Sequence, residues 1–341
     1  MKKLSFNGKI VFFGNSVAAL LLLFSYTLPL IPPNTFPILS VLSLSVPFLI
    51  ILNIVFLIYW LFKLKKKFFL SFVVLLIGYF CFGSLYQFSS NGEEKTNNSI
   101  SVINYNVRLF NLYKWIEEDN VEKSIVSLIR SESPDVLALQ EYHPHENVNF
   151  SFFKYKYEKL SGRKTKYGQA IFSNYPIINS GSIEFPNTSN NAIFADIVKG
   201  KDTIRIYNIH LQSMKIDANA NNFNEEESEK LFKRIASTFK MQQSQVELFL
   251  EHKKQCKYKM IVCSDLNNTS FSYAYKHIKG DLIDAFKEAG NGLGKTYLFK
   301  FIPVRIDFIF YDNSFKITNF KTFKEKYSDH YPIKATIVLH E

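Results

Sequence analysis

No aspartate or glutamate occurs before Glu93, and that stretch holds three apolar runs: Ile10 to Ile31, Phe36 to Phe62 and Phe68 to Phe88. None of the runs contains a charged side chain, and each approaches or exceeds the roughly 20 residues that cross a hydrocarbon core. Buried helices of a soluble core would alternate in polarity, and these do not. Residues 1–88 therefore read as a membrane anchor with three transmembrane helices, at about 10–31, 36–62 and 68–88. Pro29, Pro32 and Pro33 break the first from the second. Pro37 and Pro47 are expected to kink the second, which a helical bundle tolerates.

Lysines set the orientation. Lys2, Lys3 and Lys9 precede the first run, and Lys63, Lys65, Lys66 and Lys67 lie between the second and third. Both groups should stay in the cytoplasm, so an odd number of crossings puts everything after Phe88 outside. The first run is long and lacks a small-residue cleavage site, so it is expected to be retained. The expected location is the inner (cytoplasmic) membrane, multi-pass, with the following domain extracytoplasmic, or periplasmic in a Gram-negative cell. No Asp, Glu, Lys, Arg or His side chain lies within the runs, which leaves a proton or ion pathway nothing to work with. The helices read as an anchor, with the bilayer as their partner.

Once these seven lysines are set aside, the net charge of +11 falls to +4 for residues 89–341. That surplus is too small to indicate nucleic acid by itself. About 250 residues suffice for one sizeable core. Cys81, Cys256 and Cys263 make neither a disulfide framework nor a metal-binding spacing. Residues 89–99, SSNGEEKTNNS, read as a linker, and DANANNFNEEESEK as an exposed loop leading into a helix. No obligate protein partner is evident.

Beyond the linker, strands alternate with helices. ISVINYNV, VLALQEY, YGQAIFSNYPI, DTIRIYNIHLQS, YKMIVCSDLN, RIDFIFYD and YPIKATIVL read as strands. Val121, Ile125, Leu128 and Ile129 have helical spacing, and Glu225 to about Lys253 forms a long amphipathic helix with acids in its first turn. The pattern predicts sheets covered by helices, an α/β or α+β layered domain.

The informative residues stand where strands stop. Asn106 ends one strand, Gln140 and Glu141 another, His210 a third, and Asp265 and Asn267 a fourth; Asp307 interrupts RIDFIF, and Asp329 and His330 precede the last strand. Singly, each could be a cap, a salt bridge or a satisfied core histidine. Together they place polar groups along one rim of packed sheets, as a rigid scaffold presents a site. Carboxylates, amides and two imidazoles, without cysteine, suit a hard cation such as Mg²⁺, with Mn²⁺ or Ca²⁺ as alternatives. They also suit proton transfer and charge stabilisation. No serine elbow, P-loop or dinucleotide glycine pattern is present, so metal-assisted phosphoester hydrolysis is the reading these residues favour.

The ordered set NYNVR, LQE, GQAIFSNYPI, NIHLQS, SDLNNTSFSYAY, RIDFIF and SDHYPI resembles the endonuclease/exonuclease/phosphatase superfamily over residues 100–341. That superfamily includes pancreatic deoxyribonuclease, abasic-site nucleases, neutral sphingomyelinases and inositol polyphosphate 5-phosphatases. The resemblance implies a four-layer α/β sandwich, two sheets back to back with helices outside, here preceded by the anchor as in some bacterial members. It implies Glu141 as principal metal ligand, with Asn106 beside it and Asp329 facing the metal. Asp265 and Asn267 would orient water and phosphate. His330 would act on the nucleophile or scissile phosphate with Asp307 as its partner, because neighbouring side chains on an extended backbone diverge and Asp329 is badly placed to hold His330. His210 would donate to the phosphate or leaving group. The implied substrate is a phosphoester, whether lipid, nucleic acid or small phosphate; an inactive, membrane-tethered binding module on the same fold is the alternative. Two departures stand out. Ser264 replaces the glycine of the Gly-Asp-Phe-Asn motif and must adopt its backbone conformation, and Arg108 stands where abasic-site nucleases carry an acid.

Overall fold

The computed structural model describes residues 5–83, 85–89, 98–163, 165–215, 225–299 and 302–339. Most of the expected linker, Lys2 and Lys3, and the start of the loop before the long helix lie outside these residues. The chain divides into two compact units. Met1–Ser84, Glu225–Gln243 and Thr269–Lys276 form the first, and Leu85–Asn224, Ser244–Asn268 and His277–Glu341 the second.

In the first unit, α1 (Phe6–Ser25), α2 (Pro37–Leu42), α3 (Val46–Phe62) and α4 (Phe68–Phe82) follow the apolar runs. Ser5 caps α1 by accepting from the Gly8 N–H. A 3₁₀ turn at Ser43–Ser45 separates α2 from α3, with Pro47 in the first turn of α3, where its missing N–H is not needed. Phe6–Leu30 and Pro37–Phe62, of 25 and 26 residues, are long and apolar enough to cross a membrane. The third run falls short of expectation: α4 has 15 residues and is capped by Gly83, whose φ of 76° leaves the helical conformation. Residues 85–89 contain no helix. The bundle interior is not wholly apolar. Asn15 donates to Ser71 (2.6 Å), Ser71 to Asn53 (3.1 Å) and the Trp60 indole to Asn15 (3.0 Å), all of them buried.

The second unit holds two six-stranded sheets among the described residues. Its strands are β1 (Ser99–Asn106), β2 (Val136–Tyr142), β3 (Tyr155–Ser161), β4 (Tyr167–Ser173), β5 (Ile177–Glu184), β6 (Asn191–Lys199) and β7 (Asp202–His210). They continue with β8 (Lys259–Asp265), β9 (Ile283–Asp284), β10 (Tyr297–Phe299), β11 (Ile302–Val304), β12 (Asp307–Tyr311), β13 (Lys316–Thr322) and β14 (Ile333–Val338). One sheet runs β13-β14-β1-β2-β4-β3 and the other β5-β6-β7-β8-β12-β9, with β10-β11 a separate hairpin. Both sheets are mixed: β1–β2 and β7–β8 are parallel, whereas β1–β14 and β8–β12 are antiparallel.

Helices cover the outer faces. In α5 (Val121–Glu132), Val121, Ile125 and Ile129 bury one face against Ile103, Tyr105, Leu137 and Leu139. On the other sheet, Tyr207 packs on Phe249 and His252 from the end of α6 (Glu225–Lys254). Two short helices, α7 (Tyr273–Lys279) and α8 (Ala285–Ala289), complete the chain. The result is two packed mixed sheets flanked by helices.

Strand alternation explains where the site forms. The face that each strand turns toward the opposite sheet begins apolar: Ile100 and Val102 on β1, Val136 and Ala138 on β2, Ile204 and Ile206 on β7, Ile261 and Cys263 on β8. Continuing by twos, the same face becomes Asn104 and Asn106, Gln140, Asn208 and His210, and Asp265. The space between the sheets is thus hydrocarbon at one end and polar at the other.

Candidate active site

Register brings the polar ends together. Asn106 lies opposite Gln140 across β1–β2. Asp265 pairs with His210 on one side and with Asp307 on the other, a row of three across the second sheet. Between Leu139 and Tyr142 the β2–β4 register slips by one residue, a bulge, and Glu141 takes a left-handed φ of 50°. A bulge re-aims a side chain, and here Glu141 turns toward Asn106, whose Nδ2 donates to its Oε1 at 3.3 Å.

Around this row the contacts are close. Asn106 Nδ2 also donates to Asp265 Oδ2 at 2.9 Å, while its Oδ1 accepts from the Arg108 N–H at 3.0 Å, which fixes the amide orientation. Asn267, at φ 47°, donates its N–H to Asp265 Oδ1 (2.8 Å) and its Nδ2 to the Leu211 carbonyl (3.1 Å). His210 Nε2 stands 3.6 Å from Asp265 Oδ2 and 3.8 Å from Glu141 Oε1, is buried, and makes no hydrogen bond among the described residues. Glu141 and Asn267 hold conformations that L residues avoid, at a cost on the order of 1–2 kcal/mol each, and such strain persists where the surroundings over-determine it.

His330 and Asp307 form a buried pair, with Nδ1 2.9 Å from Oδ2 and both side chains nearly inaccessible. Thr296 Oγ1 accepts from the Ile306 and Asp307 N–H groups and holds the start of β12. Tyr297 sets its ring edgewise to the imidazole, centroids 5.0 Å apart. Burial pushes the Asp307 carboxyl up to about 6, offset in part by His330. Burial also disfavours a charged His330, but the carboxylates of Asp307 and Asp265 outweigh it and hold the imidazolium well above the usual histidine range. Their mutual attraction favours the proton on the imidazole and the charge on Asp307.

Asp329 lies elsewhere. Its carboxylate meets Arg108 Nη1 at 2.9 Å and accepts from Ser328 Oγ at 3.2 Å. Ser328 Oγ also lies 2.9 Å from the Asn106 carbonyl and accepts from the His330 N–H at 3.3 Å, tying the last site loop to β1. Ser264, in place of a glycine, carries no positive φ, and its hydroxyl donates to the Phe308 carbonyl at 3.4 Å. The serine is therefore unstrained. Residue-by-residue reading missed the bulge at Glu141, the Arg108–Asp329 pair and the supports Thr296 and Ser328. Only the period-two parity of the strands could have signalled Asn104 and Asn208.

The donor set fits a divalent cation. Asp265 and Asp307 are essentially inaccessible and Glu141 lies beside Asp265. Such a cluster of carboxylates is costly without positive charge. The ligand atoms of Asp265, Asp307 and His330 lie within 4.8 Å of one another. Two members of that trio already engage each other.

Comparison with known proteins agrees with this geometry. A domain of unknown function (DUF8431) matches residues 8–85, and the Endonuclease/Exonuclease/phosphatase family matches residues 103–330. No curated protein matches the chain. Among solved structures, an endonuclease/exonuclease/phosphatase from Beutenbergia cavernae DSM 12333 superposes with a TM-score of 0.54 at 15% identity, over 71% of this chain and 72% of that one. The mannosyl-6-phosphatase of Bacteroides thetaiotaomicron VPI-5482 gives 0.53 at 16% over 70% and 99%. D. rerio TDP2 complexed with single strand DNA product gives 0.52 at 17% over 70% and 98%. At these identities the likeness is one of fold. The matched span, most of the chain and all of the site, establishes that this protein belongs to the endonuclease/exonuclease/phosphatase family.

Proposed function

We propose that the protein is a membrane-anchored, divalent-metal-dependent phosphoesterase that hydrolyses a phosphodiester or phosphomonoester by attack of water. The observation that carries this reading is the convergence of Asn106, Glu141, His210, Asp265, Asp307 and His330 on one polar end of the sandwich.

Glu141 is the principal holder of the cation, with Asp265 beside it and Asn106 orienting both carboxylates through its fixed amide. Asp307 is committed to His330. Asp329, expected at the cation, is assigned instead to fixing Arg108 at the rim. When bound, Mg²⁺ or a related cation supplies Lewis acidity and neutralises phosphate charge. The chain's own residues do the rest. Asp307 holds Nδ1 of His330 and so presents Nε2 toward Asp265, where an imidazolium stabilises charge building on a phosphate oxygen. Asp265, anchored by the Asn106 amide and the Asn267 N–H, is oriented to accept a proton from water. His210 offers an unsatisfied Nε2 to the leaving-group oxygen. The mannosyl-6-phosphatase and the TDP2–DNA complex span sugar phosphates and nucleic acid, and both classes belong in the assay.

The N-terminal helices serve as the anchor, with α4 as a third crossing in which flanking lysines snorkel and the bilayer thins locally. The lysine bias supports a catalytic unit outside the cytoplasm.

The test is hydrolysis by the full-length, detergent-solubilised protein of a phosphodiester, sugar phosphate, nucleotide and phospholipid panel with Mg²⁺, Mn²⁺ or Ca²⁺. Turnover abolished by EDTA and restored by one cation is expected. Glu141→Gln should lower it by about 10²-fold or more while unfolding temperature holds, since it removes transition-state charge compensation. Metal-independent turnover, or unchanged turnover in Glu141→Gln, rejects the assignment.

A further inference from the structure

Between the apolar core and the site lies a layer that the chemistry above does not use. Asn104, Gln140 and Asn208 are wholly inaccessible and joined to one another. Their amide orientations are forced. Asn208 Nδ2 donates to the carbonyls of Leu139 (2.8 Å) and Ala170 (3.2 Å), and Asn104 Nδ2 to that of Ser264 (3.0 Å). Both Oδ1 atoms therefore face Gln140, whose Nε2 donates to Asn104 at 2.6 Å and to Asn208 at 2.5 Å. Asn104, Gln140, Leu139 and Ala170 belong to the first sheet, Asn208 and Ser264 to the second. The chain of hydrogen bonds crosses between the sheets at both ends.

Each member, and the Ser264 that Asn104 reaches, stands one or two positions before a site residue. Asn104 lies two positions before Asn106, Gln140 one before Glu141, Asn208 two before His210 and Ser264 one before Asp265. The two sheets carry complementary halves of the site, Asn106 and Glu141 on one, His210, Asp265 and Asp307 on the other. Something must set the distance and offset between them. Apolar packing is non-directional and tolerates repacking. Buried amides recover their desolvation cost only at one geometry, and shape-matched hydrocarbon would hold the sheets together at least as well.

We propose that Asn104, Gln140 and Asn208 are positioning residues that fix the spacing and offset of the two sheets at the site end, so that the half-sites meet. The proposal rests on reading that cleft as a phosphoesterase site. It concerns geometry: none of the three touches the reacting atoms.

The full-length protein and four variants decide it. Gln140→Met and Asn208→Leu each break the crossing; the triple variant Asn104→Leu/Gln140→Met/Asn208→Leu removes all three amides together, so no side-chain amide of the layer is left facing a missing partner. Ile206→Val, in the apolar layer, controls for lost packing. Turnover should fall about 10- to 100-fold in the amide variants with KM within about threefold, because misplacement by an ångström costs that much. The Mg²⁺ concentration giving half-maximal thermal protection should rise about tenfold, as when supports of metal ligands are removed. The triple variant should unfold near the wild-type temperature, and Ile206→Val should lose stability without losing turnover. Amide hydrogen exchange should quicken at residues 104–108, 139–142, 208–211 and 264–267 and stay unchanged in the apolar halves of those strands. If a single variant does not fold, the triple variant carries the comparison. Unchanged exchange at the site end, or turnover that merely follows the folded fraction, overturns the proposal. A wild-type protein that hydrolyses nothing overturns the phosphoesterase reading instead, and the exchange measurement still decides whether the amides hold the sheets.

Discussion

At the scale of single residues, the pair in SDHYPI behaves as two unrelated side chains. His330 turns inward to Asp307, and Asp329 turns to Arg108. Divergence of adjacent side chains was readable from the sequence; the identity of Asp329's partner was not, because Arg108 is distant in sequence and reaches it only through a loop. Asp307→Asn and His330→Ala should each lower turnover by about 10²–10⁴-fold. The double variant should be little worse than the poorer single one, because residues acting as a unit fail together. Asp329→Asn should combine additively with His330→Ala. Steady-state rates of the three single and two double variants at saturating Mg²⁺ decide; additivity between Asp307 and His330 contradicts the dyad. Ser264 gives a milder forecast. Its φ is not left-handed and its hydroxyl is bonded, so Ser264→Gly should destabilise by about 0.5–1 kcal/mol and leave turnover nearly intact. Denaturant midpoints check the first figure, and a large gain in activity would show that the serine had been a handicap.

At the scale of elements, helices were the legible part. Four-residue apolar spacing located α5, and acids at its start with apolar periodicity located α6 to within one residue of its observed end. The third apolar run was over-read, because composition continues through Phe88 whereas Gly83 ends the helix. Local chain reversals were invisible. Arg108, Leu109, Phe110 and Asn111 all have positive φ, from 42° to 61°, a left-handed turn built without glycine. Asn111 holds its exit: Nδ2 donates to the Ile116 carbonyl at 2.8 Å and Oδ1 accepts the Ile116 N–H at 2.9 Å. This clip and the Arg108–Asp329 ion pair over-determine the turn. Asn111→Ala loses both bonds and keeps the strain, for a cost of about 1–3 kcal/mol. Asn111→Gly loses the bonds but relaxes the backbone, so stability should fall in the order Asn, Gly, Ala. Thermal unfolding of the three proteins tests it, and an alanine variant as stable as the glycine one removes the strain argument.

At the scale of the whole molecule, the gathering of the candidate site residues was legible because the fold brings strand ends together, and strand ends can be read. Its wiring between sheets was not legible, since register and bulges arise from pairings between distant segments. The proposed anchor makes a separate prediction. A reporter active only outside the cytoplasm, joined after Glu341, should be active, and a reporter active only inside should be silent; the opposite result rejects the orientation read from Lys63 to Lys67. A last consequence concerns synthesis. β1 lies between β2 and β14, and Ser99 pairs with Val338. The first strand to leave the ribosome must therefore wait for one of the last, roughly 10–50 s at 5–20 residues per second. Throughout that interval the proposed anchor would hold the nascent chain at the bilayer while His330 has yet to be made. On the proposed reading, an unfinished molecule is harmless to the cell's own phosphoesters, and hydrolytic power arrives only with the closing strand.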